Sequence, residues 1–176
     1  MMKKIISIIT SILIFCSGFT SIFAYQADKD INFDNWENKW FNNSVEASVI
    51  QSDGKILVGG AFTTYNWTTV NRIVRLNSDG TIDSSFNAWS AFSSNGVYDI
   101  AIQSDGKILV GGSFLRYNWT NINRIIRLNS DGSIDPSFNV WSAFNNDVYS
   151  IILQDDERIL VGGAFTTYNW TTVNRI

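Results

Sequence analysis

The chain of 176 residues contains no histidine and only one cysteine, Cys16. That cysteine lies in an N-terminal segment that we expect to be removed, so the mature chain would carry neither a thiol nor an imidazole. A disulfide, a thiolate zinc site, a cysteine nucleophile and a histidine base are therefore excluded. The chain also lacks a basic stripe. Its 13 basic and 16 acidic residues give a formal charge of −3, which argues against a nucleic-acid-binding role.

The first 24 residues are typical of a secretory signal peptide. Lys3 and Lys4 precede an apolar run from Ile5 to Phe15, and Ala24 supplies a small residue at the expected cleavage point. An uncleaved anchor is the alternative, because the segment from residue 5 to 24 is about 20 residues long, near the length that spans a bilayer. Polar residues dilute that segment. We therefore predict cleavage and a secreted or cell-envelope location (periplasm or cell surface), with no membrane attachment afterwards.

A stretch of 42 residues occurs almost twice. Gln51–Phe92 aligns without a gap on Gln103–Phe144, and 33 of the 42 positions are identical. A third copy begins at Gln154, so the period is 52 and then 51 residues. A fixed period of this size indicates units that cannot bury their own apolar face and must stack on their neighbours.

Each unit is predicted to contain four short antiparallel strands. In the second unit we expect them at residues 97–102, 108–110, 123–128 and 134–140. The Asp-Gly pairs at 105–106 and 131–132 predict tight two-residue turns, and Gly111-Gly112 indicates a bulge or a close backbone approach. The pattern predicts an all-β fold, a β-propeller-type array of four-stranded antiparallel blades.

The repeat also divides the chain. We assign residues 1–24 to the signal peptide, 25–44 to a lead-in with a lone outer strand, 45–92 to the first blade, 97–144 to the second and 148–176 to a truncated third. Propellers usually need about four to eight blades, and this chain offers roughly two and a half. We therefore expect a fragment of a longer chain, whose remaining blades complete the fold, or self-association of several chains into one ring.

Two ordered segments of the second unit, IAIQSDGKILVGGSF and NRIIRLNSDGSIDPSF, resemble the delta-60 repeat, a β-propeller-like repeat of exported bacterial proteins. The resemblance covers residues 30–176. It implies a propeller-type fold and export, and it implies no particular activity. In the third copy QDDER replaces QSDGK, and the loss of that glycine calls the shared turn geometry of this unit into question.

We expect no enzymatic activity from these units. Their carboxylates recur from copy to copy, as Asp79 does in Asp131, whereas catalysis needs an asymmetric pair with separated pKa values. Residues 77–83 resemble part of a calcium loop, but Arg75 and Phe86 stand where that loop needs ligands. We therefore predict no catalytic residue, no metal site and no cofactor.

Two arginines recur at equivalent positions, Arg75 and Arg127. We expect them to pair with Asp83 and Asp135, across strands or between blades. An exposed pair of that kind would stabilise the fold by only about 0–1 kcal/mol.

The aromatic loops are the candidate binding surface. Connections in an up-and-down sheet alternate between its two ends, so we expect both Asp-Gly turns on one face and the Trp-bearing loops on the other. Tyrosine and tryptophan offer rigid contact area to a glycan or protein ligand, although they also pack between blades. The candidate ligand-binding residues are Tyr65, Trp67, Tyr117, Trp119, Tyr168 and Trp170.

These observations predict an exported, non-enzymatic β-propeller module for protein or glycan interaction at the cell surface. The alternatives are a structural spacer and the non-catalytic part of a larger secreted enzyme. Exposure of the tryptophan rings separates the first two, because a spacer would bury them between blades.

Overall fold

A computed structural model of the protein describes residues 40–88, 92–93, 96–138 and 144–173. The predicted signal peptide and the lone strand of the lead-in lie outside the described residues. Every regular element in the described ranges is a β-strand, and no helix there is long and apolar enough to cross a membrane. The predicted all-β fold class is confirmed.

The three units repeat one series of strands. The first unit consists of β1 (Val45–Ile50), β2 (Ile56–Gly60), β3 (Thr64–Tyr65), β4 (Thr68–Thr69) and β5 (Ile73–Leu76). The second consists of β6 (Phe92–Ser93), β7 (Val97–Ile102), β8 (Ile108–Gly112), β9 (Arg116–Tyr117), β10 (Thr120–Asn121) and β11 (Ile125–Leu128). The third consists of β12 (Val148–Leu153), β13 (Ile159–Gly163), β14 (Thr167–Tyr168) and β15 (Thr171–Thr172).

Antiparallel pairing joins these strands into small sheets. The sheet order is β1-β2-β5 in the first unit, β7-β8-β11 in the second and β12-β13 in the third. The predicted fourth strand is shorter than expected, because only single bridges join Leu76 to Ile82 and Leu128 to Ile134. The chain turns directly afterwards, since the carboxylate of Asp135 accepts the amide of Ser137 at 2.9 Å.

The Asp-Gly turns are three-residue loops rather than the two-residue turns expected. The amide of Gly54 donates to the carbonyl of Gln51 at 2.9 Å, and the amide of Gln51 donates to Lys55 at 2.8 Å. Gly54 takes the left-handed position of the loop, with φ of 82°. The third unit keeps the same loop without glycine, because Glu157 takes that position with φ of 66°.

The paired glycines have two separate roles. A β-carbon on Gly59 would overlap the side chain of Val97 in the next unit, and one on Gly60 would overlap the carbonyl of Ser44. The pairing of β1 with β2 shifts register between Val45 and Ala47. Both a close approach and a bulge are thus present, as the sequence predicted.

Two of the three apolar clusters of the core join neighbouring units. Leu57 of β2 and Ile73 of β5 share one apolar cluster with Val97 and Ile100 of β7. Leu109 of the second unit lies in another cluster with residues of the third. Each unit therefore buries its apolar face against its neighbour, as expected of a repeat array.

Candidate functional site

The segment predicted as an aromatic loop forms a short β-hairpin with a two-residue turn in each unit. An Asn-Trp pair occupies the turn, and both of its residues have the positive φ of a type I′ turn. The φ angles are 45° and 67° in Asn66-Trp67, 43° and 69° in Asn118-Trp119, and 46° and 67° in Asn169-Trp170. We call these three elements the tryptophan hairpins.

The tryptophan at each hairpin tip is exposed to solvent. The exposed fractions are 80% for Trp67, 81% for Trp119 and 87% for Trp170. A left-handed backbone is unfavourable for a bulky residue, and glycine is preferred at this position of the turn. The three units therefore carry the same large, mostly exposed ring at a position where backbone preference favours glycine.

The neighbouring tyrosines behave differently, because two of these three predicted ligand-binding residues are buried and offer no ring face to a ligand. Tyr65 is 2% exposed and Tyr117 is fully buried. Their hydroxyls donate to the carbonyls of Gly80 at 2.9 Å and Gly132 at 2.6 Å. Burial raises the pKa of both phenols above its ordinary value. Of the three predicted tyrosines, only Tyr168 is exposed, at 38%.

The bond from Tyr65 to Gly80 also corrects the prediction that the Trp-bearing loops lie at the end opposite the Asp-Gly turns. Both Asp-Gly turns of a unit do lie near one another, since Lys55 after the first turn contacts Asp83 after the second at 2.9 Å. The tryptophan hairpin is not confined to the opposite end. It folds back along the unit, so that the hydroxyl of Tyr65 reaches Gly80 in the second turn.

A phenylalanine that precedes the six-residue strand of each unit fixes the hairpin in place. Phe41, Phe92 and Phe144 form backbone bridges to the hairpin tyrosines. Ring centroids lie 4.6 Å apart for Phe41 and Tyr65, and 4.9 Å apart for Phe92 and Tyr117. The strands of each hairpin are thus held by this phenylalanine, which keeps the tip in a defined orientation.

Sequence reasoning missed one aromatic residue at this site, Trp40. Its ring lies against Trp67 at a centroid distance of 5.2 Å and an interplanar angle of 85°. The amide of Asn66 donates to the Trp40 carbonyl at 2.9 Å. The available signal was its place directly before Phe41, where the other copies have Ala91 and Ala143.

The hairpin residues that flank the exposed rings are polar and carry little charge. Exposed hydroxyl and amide side chains flank the tips at Thr68, Thr69, Thr120, Asn121, Thr171 and Thr172. The first and third hairpins contain no charged residue. In the second, Arg116 donates to the side chain of Asn121 at 3.0 Å.

The charged residues of the repeat serve the scaffold. Arg75 pairs with Asp83 at 2.7 Å, as predicted, but both side chains are buried rather than exposed. The Arg75 guanidinium also lies 4.8 Å from the centre of the Phe86 ring and donates to the carbonyl of Ser130 in the next unit. Arg127 repeats the pairing with Asp135 at 2.8 Å.

These contacts alter the acidity of the buried carboxylates. Burial of Asp83 opposes its ionisation, but hydrogen bonds from Ser85, Lys55 and Arg75 outweigh that effect and hold its pKa well below the ordinary value. The hydroxyl of Ser137 likewise lowers the pKa of Asp135 against the effect of burial.

The segment that resembles a calcium loop is a side-chain-stabilised turn. The Asp79 carboxylate accepts the amide of Thr81 at 2.9 Å and its hydroxyl at 2.6 Å. Over the ranges that the structure describes, no three acidic, histidine or cysteine side chains are grouped so as to hold a metal ion.

A family model for a β-propeller domain of unknown function, DUF5122, matches residues 51–86, 103–138 and 154–176. These ranges make up more than half of the chain and begin at the same position of each copy. Among curated proteins, none matches the chain.

Proposed function

The chain belongs to the DUF5122 family of β-propeller domains of unknown function, and on that premise we propose that it is an exported, non-enzymatic interaction module. Its tryptophan hairpins bind a glycan on or near the cell surface. The ordered segments of its units make them, in this proposal, repeats of the delta-60 type. The N-terminal Lys-Lys pair and the apolar run after it support export.

One observation carries the binding proposal. Three tryptophans at equivalent turns are each at least 80% exposed, although a left-handed backbone disfavours a bulky residue there. Backbone strain that recurs at an exposed position is typical of functional sites. The exposure favours a binding surface over a structural spacer, which would bury these rings.

The polar surroundings favour a glycan over a protein ligand. Protein-binding hot spots lie within a packed apolar region that excludes water, whereas these rings stand among threonine and asparagine side chains. An aromatic face stacks on the apolar C–H face of a sugar, and the flanking groups can bond its hydroxyls. The low charge of the hairpins and the net charge of −3 do not suit nucleic acid or anionic lipid.

The repeated carboxylates support a non-enzymatic role. Asp83 and Asp135 are held by arginine, and Asp79 stabilises its own turn. The carboxylate of Asp99 accepts the amides of Ile100 at 2.8 Å and, from the next unit, Ile151 at 2.6 Å. Each of these groups has a structural partner, which leaves no separated acid and base pair among them.

The decisive experiment replaces all three turn tryptophans with glycine. Asn-Gly is the preferred type I′ pair, so the Trp67→Gly, Trp119→Gly, Trp170→Gly variant should keep its fold and melting temperature. We expect it to lose the signals that the wild-type protein gives on an array of neutral and charged glycans. Tyr149→Ala, which removes an exposed ring outside the hairpins, is the matched control and should bind normally.

Two results would refute the proposal. Unfolding of the triple glycine variant would make the tryptophans structural, and unchanged binding would place the site elsewhere. Export has its own test, because mass spectrometry of the envelope or extracellular fraction should find a new N-terminus at Tyr25. Only full-length protein in the cytosol would contradict it.

A further inference from the structure

The first tryptophan hairpin differs from the other two in carrying a second ring. Trp40 and Trp67 stand almost perpendicular, with 5.2 Å between ring centroids. In the second and third units the residue before the bridging phenylalanine is alanine, so the position equivalent to Trp40 carries no ring there. Among the residues that the structure describes, a second ring therefore contacts the turn tryptophan at the first hairpin and at neither of the other two.

Both rings of the first site are attached to fixed backbone. Trp67 lies in the type I′ turn, and Trp40 precedes Phe41, which is buried and bridged to Tyr65. The hydrogen bond from the Asn66 amide to the Trp40 carbonyl joins the two segments directly. The backbone positions that carry the two rings are thus set before a ligand arrives, which lowers the entropy that binding must overcome.

The geometry of this pair suits a pyranose ring. One indole face can stack on the apolar C–H face of the sugar, while the second indole, at a right angle, contacts the edge of the same sugar. The side chains of Asn66, Thr68 and Thr69 are exposed beside the rings and supply hydroxyl and amide groups for the sugar hydroxyls. This hairpin contains no charged residue, so a charged sugar would gain no ionic contact from it.

We propose that Trp40 and Trp67 form the primary subsite for one residue of a neutral polysaccharide, with Trp119 and Trp170 as weaker secondary subsites. This inference rests on the proposed function and names the ligand class and the order of the sites. A polymer that reaches more than one hairpin gains by effective concentration, whereas a short oligosaccharide depends on the two-ring site alone.

The test titrates the protein, by calorimetry and tryptophan fluorescence, with cellohexaose, laminarihexaose, maltohexaose and xylohexaose. An oligogalacturonate serves as the anionic comparator. We expect at least one neutral hexaose to bind and the oligogalacturonate to fail. Trp40→Ala should weaken binding about tenfold, the effect of losing one well-placed aromatic contact. Trp119→Gly should change hexaose binding by less than about twofold.

Two further variants keep the inference falsifiable. Trp40→Phe retains an aromatic wall and should recover most of the lost affinity, which a merely disturbed fold would not do. Ala91→Trp places a tryptophan at the position equivalent to Trp40 and should add a second strong site to the titration. Melting curves for each variant separate loss of binding from loss of structure.

The outcomes distinguish the two claims. If no neutral sugar binds, or the oligogalacturonate binds best, the neutral-glycan class is overturned. If a hexaose binds and depends on Trp67 but not on Trp40, the proposed function stands and the two-ring subsite is wrong. If Trp40→Ala and Trp119→Gly weaken hexaose binding equally, the order of the sites is wrong.

Discussion

Gly59 packs directly against Val97 of the next unit, so that a β-carbon at Gly59 would overlap the Cγ1 methyl group of that valine. The same added atom would lie 2.9 Å from Cδ1 of Ile100. Gly111 repeats this relationship with Val148. Because glycine has no side chain at this position of the second long strand, one unit can approach the next closely.

Gly59→Ala should destabilise the protein by about 1–3 kcal/mol, the usual effect of overpacking a core. Urea denaturation measures the change. Val97→Ala removes the methyl group that the new β-carbon meets, so the double variant should be more stable than the sum of the two single effects predicts. If the changes in the free energy of unfolding were strictly additive, the new β-carbon would not be in contact with Val97.

Gly132→Ala should cost more stability than Gly106→Ala, although both glycines have left-handed φ, of 85° and 82°. The backbone strain of about 1–2 kcal/mol is common to both. A β-carbon at Gly106 would meet open space, whereas one at Gly132 would lie 2.9 Å from the Phe86 ring of the preceding unit. Thermal melts should show the larger loss for Gly132→Ala, and equal losses would contradict the interface.

Glu157→Gly should stabilise the third unit by up to about 1 kcal/mol, because glycine removes left-handed strain at φ of 66°. The greater freedom of glycine in the unfolded chain offsets part of this gain. Glu157→Ala is the control, since it removes the charge and keeps the β-carbon. A rise in melting temperature for alanine equal to that for glycine would assign the effect to charge.

Acid should weaken the fold through Asp83 and Asp135. Their pKa values are lowered in the folded protein, so their contribution to stability is complete above the unfolded pKa of about 3.9 and is lost as pH falls below it. The free energy of unfolding should therefore decrease between pH 4 and pH 2. Chemical denaturation at a series of pH values measures this.

The Asp83→Asn variant tests the cause of that acid sensitivity. It leaves Arg75 buried without its carboxylate and should cost about 3 kcal/mol at neutral pH. The remaining stability should depend less on pH below 4. Asp135→Asn is the comparison and should cost less, because its partner Arg127 is more exposed than Arg75. An unchanged pH dependence in both variants would contradict the assignment.

We expect the chain to self-associate through the face of the third unit that carries Ile152 and Leu160. Leu160 is 39% exposed. Leu57 and Leu109, which occupy the same position as Leu160 in the first two units, are fully buried by the next unit. A second copy would cover the same kind of face. Sedimentation should show oligomers for the wild type and monomers for Leu160→Asp. Leu109→Asp should unfold the protein, and a monomeric wild type would contradict this prediction.

Much of the fold could be predicted because its signals are local. The period gave the units, and the alternation of apolar residues gave strands close to β7, β8 and β11. The Gly-Gly pairs correctly indicated a bulge and a close approach. The Asp-Gly pairs were assigned the wrong loop, because the dipeptide also suits a three-residue loop with glycine in the left-handed position. The type I′ turn is formed instead by the Asn-Trp pair, although glycine is the preferred residue at its second position.

The candidate site could be predicted only in part. The tryptophans and tyrosines of one loop were grouped together, yet the structure exposes the former and buries two of the latter. Trp40 was missed because the sequence shows no long-range pairing between it and the first hairpin. Contact of that kind depends on how the segment before a unit returns along its hairpin, which is a tertiary relationship.

The clearest separation comes from two identical segments, Ala61–Ile73 and Ala164–Ile176. Their residues 64–69 and 167–172 form the same hairpin, and the turn tryptophans have the same φ of 67°. The turn conformation of these hairpins therefore follows from the sequence, through short-range sterics and hydrogen bonds. Yet Tyr65 is 2% exposed and Tyr168 is 38% exposed. Burial was decided only by the tertiary structure, because the area that a side chain loses to solvent depends on which other segments of the chain pack over it.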